Sequence, residues 1–312
     1  MLLYRTGNLK KAMEPLREYI IYQPDSINVL KAMGEIFISE SRFQEAIDTY
    51  RRIKIKIPEN LSINLALARS FSQLKQHESA IKTYSDILLF NEENNDVKFE
   101  MANIYNKMGL YKESENIIIQ AITCDNSDMK MYYQLAMTYG YQNKFLSAIL
   151  ALQEALRLSP NELKIKYQLG VAHMEIGSYD KAAEYLEQYI IMAPEDEIAF
   201  FLIGKCYYML NDYPASILAL QQTSTNLQND SSVLYYLGMS YSNLGEYSDA
   251  ALFFRKALKI DPNNPTVHFD LGRSYFYLNK NKKVQETLDI LNMLDRNLYE
   301  NLQALTKRKY FK

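Results

Sequence analysis

The chain has 312 residues, of which 48% are hydrophobic and 23% are charged, and its formal net charge is −2 at pH 7. This composition is ordinary for a soluble protein with a sizeable core, and it gives no support for a nucleic-acid binder driven by phosphate neutralisation. The sequence has no 18-residue apolar run and no signal-peptide core, so we expect no membrane insertion. The expected compartment is cytoplasmic, or periplasmic if an N-terminal export signal is missing from this chain.

A pattern with a period of 34 residues runs along the chain and is clearest over residues 231–264. With Ser231 as position 1, position 8 is Gly or Ala in every copy: Gly34, Ala68, Ala102, Ala136, Gly170, Gly204, Gly238 and Gly272. Position 20 is Ala or Ser in most copies, and position 15 is Gly or Asn from Gly109 onwards and at Gly7. Five prolines occupy position 32: Pro24, Pro58, Pro160, Pro194 and Pro262.

This pattern resembles the tetratricopeptide repeat (TPR) family, whose period is 34 residues. The resemblance implies an all-α fold, a right-handed α-solenoid superhelix of helix–turn–helix repeats. Each repeat should place helix A over positions 1–14 and helix B over about positions 18–31. Small residues at positions 8 and 20 allow helices to approach closely, and Gly or Asn at position 15 supplies a left-handed turn. Proline at position 32 ends helix B.

The first 26 residues are predicted to be a truncated first repeat that lacks most of helix A. Pro15 lies inside its helix B and should kink that helix or move its start to about residue 15. The incomplete repeat leaves part of an apolar face uncovered. Either upstream residues are missing from this chain, or the uncovered edge meets a partner, which includes self-association through the N-terminal edge.

Eight tandem repeats follow, at residues 27–60, 61–94, 95–128, 129–162, 163–196, 197–230, 231–264 and 265–298, the last of them degenerate. Two look weaker: 95–128 has no proline in its link, and 197–230 carries Thr223 at position 27, where small or apolar residues are usual. We therefore expect the connection over residues 223–231 to be the loosest. Residues 299–312 should form a C-terminal capping helix, with Leu302 and Leu305 on one face, and a basic tail.

Nothing in the sequence indicates an enzyme. Phosphate-binding loops, the HExxH and CxxC motifs and the GxGxxG motif are all absent. The histidines His77, His173 and His268 lie in separate repeats, so we predict no metal site and no cofactor, and His173 should be a core residue. Cys124 and Cys206 are three repeats apart, too far for a disulfide, and should be free thiols.

The resemblance implies that helix A lines a concave groove through positions 2, 5, 9, 12 and 13. Here position 5 is aromatic in six successive repeats, and methionines, polar residues and further tyrosines surround it. The candidate groove residues are Phe99, Tyr133, Tyr167, Phe201, Tyr235 and Phe269 at position 5; Asn103, Met137, Lys205, Met239 and Arg273 at position 9; and Met174 and Tyr208 at position 12.

Two interpretations of this aromatic row remain open. The rings could pack only against neighbouring repeats, or they could anchor an extended or helical peptide, since aromatics give large contact area at low entropic cost. The family's carboxylate clamp is absent, because Lys31 at position 5 is followed by Glu35 at position 9 and Ala66 at the next position 6. An apolar partner is therefore favoured over a chaperone tail.

The sequence favours a non-catalytic protein-interaction scaffold that binds a peptide or protein segment in its concave groove. One alternative is the substrate-recruiting arm of a larger enzyme, such as a protein glycosyltransferase. Another is a self-assembling structural scaffold. A helical-repeat RNA reader is disfavoured by the net charge, so no nucleic-acid partner is predicted.

Overall fold

A computed structural model describes residues 9–223 and 230–308, and every element in these ranges is an α-helix. Contacts divide the chain into two compact units, residues 1–159 and 160–312. The described helices of the first unit are α1 Leu9–Tyr22, α2 Ile27–Ser39, α3 Phe43–Lys56, α4 Leu61–Gln73, α5 His77–Phe90, α6 Asn95–Lys107, α7 Tyr111–Cys124, α8 Met129–Tyr141 and α9 Phe145–Leu158.

The described helices of the second unit are α10 Leu163–Glu175, α11 Tyr179–Ile190, α12 Glu197–Met209, α13 Tyr213–Gln221, α14 Ser231–Asn243, α15 Tyr247–Ile260, α16 Pro265–Tyr277, α17 Asn281–Leu294 and α18 Arg296–Arg308. In both units helices of type A and type B alternate, and each packs on the next within its unit. The predicted all-α fold of helix–turn–helix repeats is confirmed.

Helix A begins at the predicted position and ends one residue earlier than predicted, and helix B is shifted by one residue towards the N-terminus. Helix A covers positions 1–13, and a full helix B covers positions 17–30. In six of the eight repeats a side-chain N-cap at position 34 of the preceding copy fixes the start of helix A, whereas Ser26 and Glu162 make no such hydrogen bond. The side chain of Asn60, for example, accepts a hydrogen bond from the backbone N–H of Ile63 at 3.1 Å, which satisfies a donor that the helix leaves unpaired. Side chains cap in the same way at Asn94, Asp128, Asp196, Asp230 and Asn264.

Position 15 adopts the left-handed conformation in every described repeat. The predicted residues have positive φ, for example 74° at Gly109 and 57° at Asn143. The two copies without Gly or Asn take the same conformation, with φ of 59° at Ser41 and 58° at Lys75. The helix–turn–helix geometry therefore imposes this turn even where the side chain disfavours it. Gly7, the first residue assigned to this position, lies outside the described residues.

Position 8 is the point of closest approach between the two helices of one repeat. A Cβ atom on Gly170 would lie 2.5 Å from Cγ of Leu186, and one on Gly204 would lie 2.6 Å from Cγ of Leu220. Both leucines occupy position 24 of helix B. Gly272 is different, because a Cβ atom added there would meet Cδ2 of Leu302 in α18. Leu302 is fully buried there, and Leu305 packs beside it.

Position 20 carries a buried hydroxyl in one repeat of each unit. Oγ of Ser114 donates to the carbonyl of Ala102 at 3.2 Å and lies 3.1 Å from Oγ1 of Thr138, in the next repeat. In the second unit, Oγ of Ser216 donates to the carbonyl of Gly204 at 2.8 Å and lies 3.1 Å from Oγ of Ser240. A hydroxyl at position 20 thus meets a hydroxyl at position 10 of the following repeat.

The substitution Thr138→Val should lower the free energy of unfolding by about 1 to 2 kcal/mol, because it leaves buried polar groups without a partner. Oγ1 of Thr138 is buried, donates to the carbonyl of Gln134 at 2.9 Å and accepts from Nδ2 of Asn106 at 2.9 Å. Urea denaturation would measure the change. Thr123→Val is the matched control, since Thr123 is exposed and should tolerate the same change within about 0.5 kcal/mol. Equal effects at both sites would contradict the interpretation.

Three local expectations have mixed outcomes. Pro15 lies within α1, which begins at Leu9, so the alternative that the helix starts near residue 15 is wrong. Helix α13 ends at Gln221, with Thr223 buried just beyond it, but the looseness predicted for residues 223–231 falls largely outside the described residues. Both helices of 95–128 have full length, and in its link Asp125 Oδ1 accepts from the backbone N–H of Ser127 at 2.9 Å.

Candidate functional site

The predicted groove residues are all buried to a similar extent. All of them are half-buried on the A helices of their own unit, neither enclosed in the core nor free in solvent. Phe99, Asn103, Tyr133 and Met137 belong to the first unit, on α6 and α8, which contact each other. The second unit holds the others, on α10, α12, α14 and α16: Tyr167, Met174, Phe201, Lys205, Tyr208, Tyr235, Met239, Phe269 and Arg273.

The aromatic rings at position 5 pack on one side and stay open on the other. The ring centroid of Tyr167 lies 5.2 Å from that of Tyr189 in α11, and the centroid of Tyr235 lies 5.9 Å from that of Phe254 in α15. These two rings thus rest on helix B of their own repeat, and both residues remain partly exposed. Packing and accessibility therefore coexist, and the two interpretations of the aromatic row do not exclude one another.

An aromatic cluster in the second unit centres on Tyr236, which the sequence analysis did not select. Its ring centroid lies 5.9 Å from Phe201, 5.4 Å from Tyr208 and 5.9 Å from Tyr235. These contacts join α12 to α14 through edge-to-face geometry, which aromatic quadrupoles favour. Tyr236 occupies position 6 of its repeat, directly after Tyr235. This pair of adjacent tyrosines is the sequence feature that could have identified the cluster.

A buried carboxylate joins α14 to α16. Asp270 is 5% exposed, and its Oδ2 accepts from the hydroxyl of Tyr235 at 3.1 Å while its Oδ1 accepts from Nη1 of Arg273 at 3.0 Å. Burial raises the pKa of the Asp270 carboxyl, an effect that Arg273 partly opposes, and burial also raises the pKa of the Tyr235 hydroxyl. Arg273, a predicted groove residue, is therefore paired with a buried carboxylate.

A pocket of about 290 Å³ opens beside this cluster, between the N-terminal turns of α14 and α16. Its wall combines tyrosine rings with small hydroxyl and amide side chains, which suits a small side chain with a polar end. The lining residues are Ser231, Ser232, Tyr235, Tyr236, Asn264, Thr266 and Val267. The sequence predicted the aromatic residues of this surface but not the pocket beside them.

Position 13 tyrosines lie further out than those of position 5. Tyr141 and Tyr277 are 59% and 44% exposed. Each stacks on the tyrosine that opens helix B of the preceding repeat, with ring centroids 5.7 Å apart for Tyr141 and Tyr111 and 4.4 Å apart for Tyr277 and Tyr247. These stacked pairs present flat aromatic surface to solvent at one end of the A helices.

The histidine and cysteine expectations are supported by their surroundings. His173 is buried, its ring stacks on Tyr185 with centroids 5.6 Å apart, and burial lowers its pKa, as for a core histidine. Cys206 is buried, which raises the pKa of its thiol to about 12, and Cys124 is an exposed free thiol. Residues 9–223 and 230–308 contain no group of three or more His, Cys, Asp or Glu side chains placed to hold a metal ion.

Family models match the sequence of the repeats between residues 133 and 264. Models described as tetratricopeptide repeat match residues 133–197, 167–231 and 231–264. The chain is a tetratricopeptide repeat protein. No curated protein sequence matches this TPR protein. Membership of the family supports a role as a scaffold for protein–protein interactions.

Three of the solved structures to which this chain is similar are described as TPR proteins. One, the C-terminal part of a TPR protein from Cytophaga hutchinsonii, is 16% identical with a TM-score of 0.64, and the match covers 77% of this chain and 98% of that one. Another, from Parabacteroides merdae, is 15% identical with a TM-score of 0.55 and covers 78% and 97%. YrrB, a TPR protein with an unusual peptide-binding site, is 21% identical with a TM-score of 0.53 and covers 60% and 97%. Such identities show the fold alone.

Among the residues described, no helix combines the length and the apolar character that crossing a bilayer requires.

Proposed function

We propose that this TPR protein is a non-catalytic scaffold that binds a peptide or protein segment against its A helices. The observation that carries the proposal is the half-burial of the position 5 rings, from Phe99 to Phe269. A ring that packs on one side is held in place, so little conformational entropy is lost when a ligand covers the other side. Fixed aromatic surface beside flexible methionines is typical of interaction hot spots and of adaptable binding surfaces.

The second unit offers the more complete binding surface. It has four successive aromatic position 5 residues, the Tyr236 cluster and the adjacent pocket, all within α10 to α16. The pocket adjoins the rings of Tyr235 and Tyr236, so neighbouring side chains of an extended segment would contact both the rings and the pocket. YrrB provides a fold-level precedent for peptide binding by a TPR protein, and the proposal extends that property to this chain.

The double substitution Tyr167→Ala and Met239→Ala should weaken peptide binding at least tenfold while the helices remain folded. Each removes a half-buried anchor worth about 1 to 2 kcal/mol if it contacts ligand. Tyr235 is avoided because it also holds the buried Asp270. Peptides selected from a random 12-residue display library would be synthesised, and fluorescence anisotropy would give their Kd values.

The control for this experiment carries Tyr22→Ala and Phe90→Ala. Both side chains are well exposed, at 85% and 63%, and both lie at the C-terminal ends of B helices. Binding by the control should match the wild type within twofold. If the A-helix variant, folded by circular dichroism, bound the selected peptides as well as the wild type, the proposed site would be wrong.

The two alternative functions from the sequence analysis, a substrate-recruiting arm and a self-assembling scaffold, remain predictions. Recruitment of substrates to a larger enzyme and self-association through the N-terminal edge concern residues beyond this surface. Neither is favoured by a specific contact in the described residues, whereas ligand binding is favoured by the accessible rings.

A further inference from the structure

Three cationic side chains occupy position 9 of the A helices, and two of them are neutralised within the protein. Nη2 of Arg69 lies 3.3 Å from Oε1 of Glu100, which is at position 6 of the next A helix. Nη1 of Arg273 lies 3.0 Å from Oδ1 of Asp270, which is at position 6 of its own helix. The third is Lys205, and no described residue forms an ion pair or hydrogen bond with it.

The residues at position 6 explain why Lys205 lacks an ion-pair partner. Position 6 of its own helix is Leu202, and position 6 of the next A helix is Tyr236. Both places that supply a carboxylate to the arginines therefore hold an apolar or aromatic side chain. Lys205 is nevertheless half-buried, and it has no ion-pair partner among the described residues.

The surroundings of Lys205 are apolar along the helix as well. Phe201 precedes it by four residues and Tyr208 follows it by three, so both share its face of α12. The rings of Phe201 and Tyr208 both contact Tyr236 across the helix interface. Lys205 is therefore a lone positive charge set among aromatic rings. A carboxylate that arrives with apolar neighbours would complement this surface in both charge and hydrophobicity.

We propose that Lys205 pairs with an Asp or Glu side chain of the bound peptide, and that apolar residues flank that side chain. The inference rests on the proposed function and narrows it to an acidic, apolar segment. The flanking residues contact the rings of Phe201 and Tyr208, which exclude water from the ion pair and strengthen it. Arg69 and Arg273 do not compete for the ligand carboxylate, because Glu100 and Asp270 already hold them.

The test compares the peptide preferences of the wild type, Lys205→Met and Lys205→Glu. Each full-length protein is used to select from the same random 12-residue display library, and the best wild-type binder is resynthesised with Gln or Lys at its acidic position. The wild type should select Asp or Glu at one position between apolar residues. Replacing that residue by Gln should weaken wild-type binding about tenfold and Lys205→Met binding less than twofold. Lys205→Glu should prefer the Lys peptide.

Lys259→Glu is the matched control, because it makes the same charge change at an exposed position on helix B α15. It should retain the wild-type preference, which separates a local pairing from an effect of net charge. Circular dichroism confirms that all variants are folded. Peptides selected without an acidic preference, or an equal Gln penalty in the wild type and Lys205→Met, would overturn this inference alone. Failure of every protein to select peptides would overturn the proposed function and the inference with it.

Discussion

The substitution Gly204→Ala should lower the free energy of unfolding by about 2 kcal/mol, although alanine is ordinarily the better helix former. The new Cβ would lie 2.6 Å from Cγ of Leu220 and 3.3 Å from the carbonyl oxygen of Ser216. Cγ of Leu220 is a branch point close to the backbone of α13, so relief requires the two helices to separate. That separation would also stretch the hydrogen bond from Ser216 to the Gly204 carbonyl. Urea denaturation followed by circular dichroism measures the loss.

The same substitution at Gly140 should have the opposite sign and raise the free energy of unfolding by up to about 1 kcal/mol. Gly140 lies inside α8, it is absent from the positive-φ glycines, and no atom lies within 4 Å of the Cβ that alanine would add. Only the gain in helix propensity therefore remains. A loss of stability at Gly140 as large as that at Gly204 would show that close helix packing is not the cause.

The substitution Arg273→Met should lower the free energy of unfolding by about 2 kcal/mol at pH 7 and by much less near pH 4. Burial holds the pKa of Asp270 above its ordinary value of 3.8, and Arg273 moderates that rise. A carboxyl whose folded pKa is raised favours folding in its protonated form. That contribution is fully present below the unfolded pKa and is lost as the pH rises through the folded pKa. Without Arg273 the folded pKa rises further, so the loss at neutral pH is larger.

Two variants check that the effect comes from the buried charge. Asp270→Asn combined with Arg273→Met should recover most of the stability at pH 7, because no ionised group remains buried. Arg296→Met removes an arginine from an exposed pair with Glu300, whose side chains are 67% and 58% exposed, and should cost less than about 0.5 kcal/mol. A penalty for Arg273→Met that did not change between pH 4 and pH 7 would contradict the assignment.

Much of the fold could be predicted because the 34-residue spacing of particular residue types indicates where helices turn and pack closely. Small residues at position 8 indicate close helix approach, and Gly170 and Gly204 have exactly that environment, against Leu186 and Leu220. The N-caps at position 34 also had a sequence signal, because Asn or Asp occupies that position in every copy from Asn60 to Asn264 except at Glu162, which makes no cap. The left-handed turns at Ser41 and Lys75 were not, because their side chains give no local preference for positive φ.

The candidate site was less predictable, because pairing depends on which neighbour a side chain meets. Repeat register places Lys205 and Arg273 at the same position, yet only Arg273 has a carboxylate within reach. The difference follows from Asp270, an acidic residue that is buried where α14 packs against α16. Sequence periodicity identifies the face of a helix, but contacts across the interface decide which of its charges remain free.

The hydroxyl contacts between Ser114 and Thr138, and between Ser216 and Ser240, limit how far these repeats are interchangeable. Each contact joins a hydroxyl in one repeat to a hydroxyl in the following repeat, so it forms only when these two repeats are adjacent. Replacing 129–162 or 231–264 by a copy with an apolar residue at position 10, such as Ala172, would remove this contact and leave Ser114 or Ser216 with its carbonyl partner alone. The two contacts therefore depend on the order of the repeats. A chimaera should keep 95–128 next to 129–162, and 197–230 next to 231–264, to retain them.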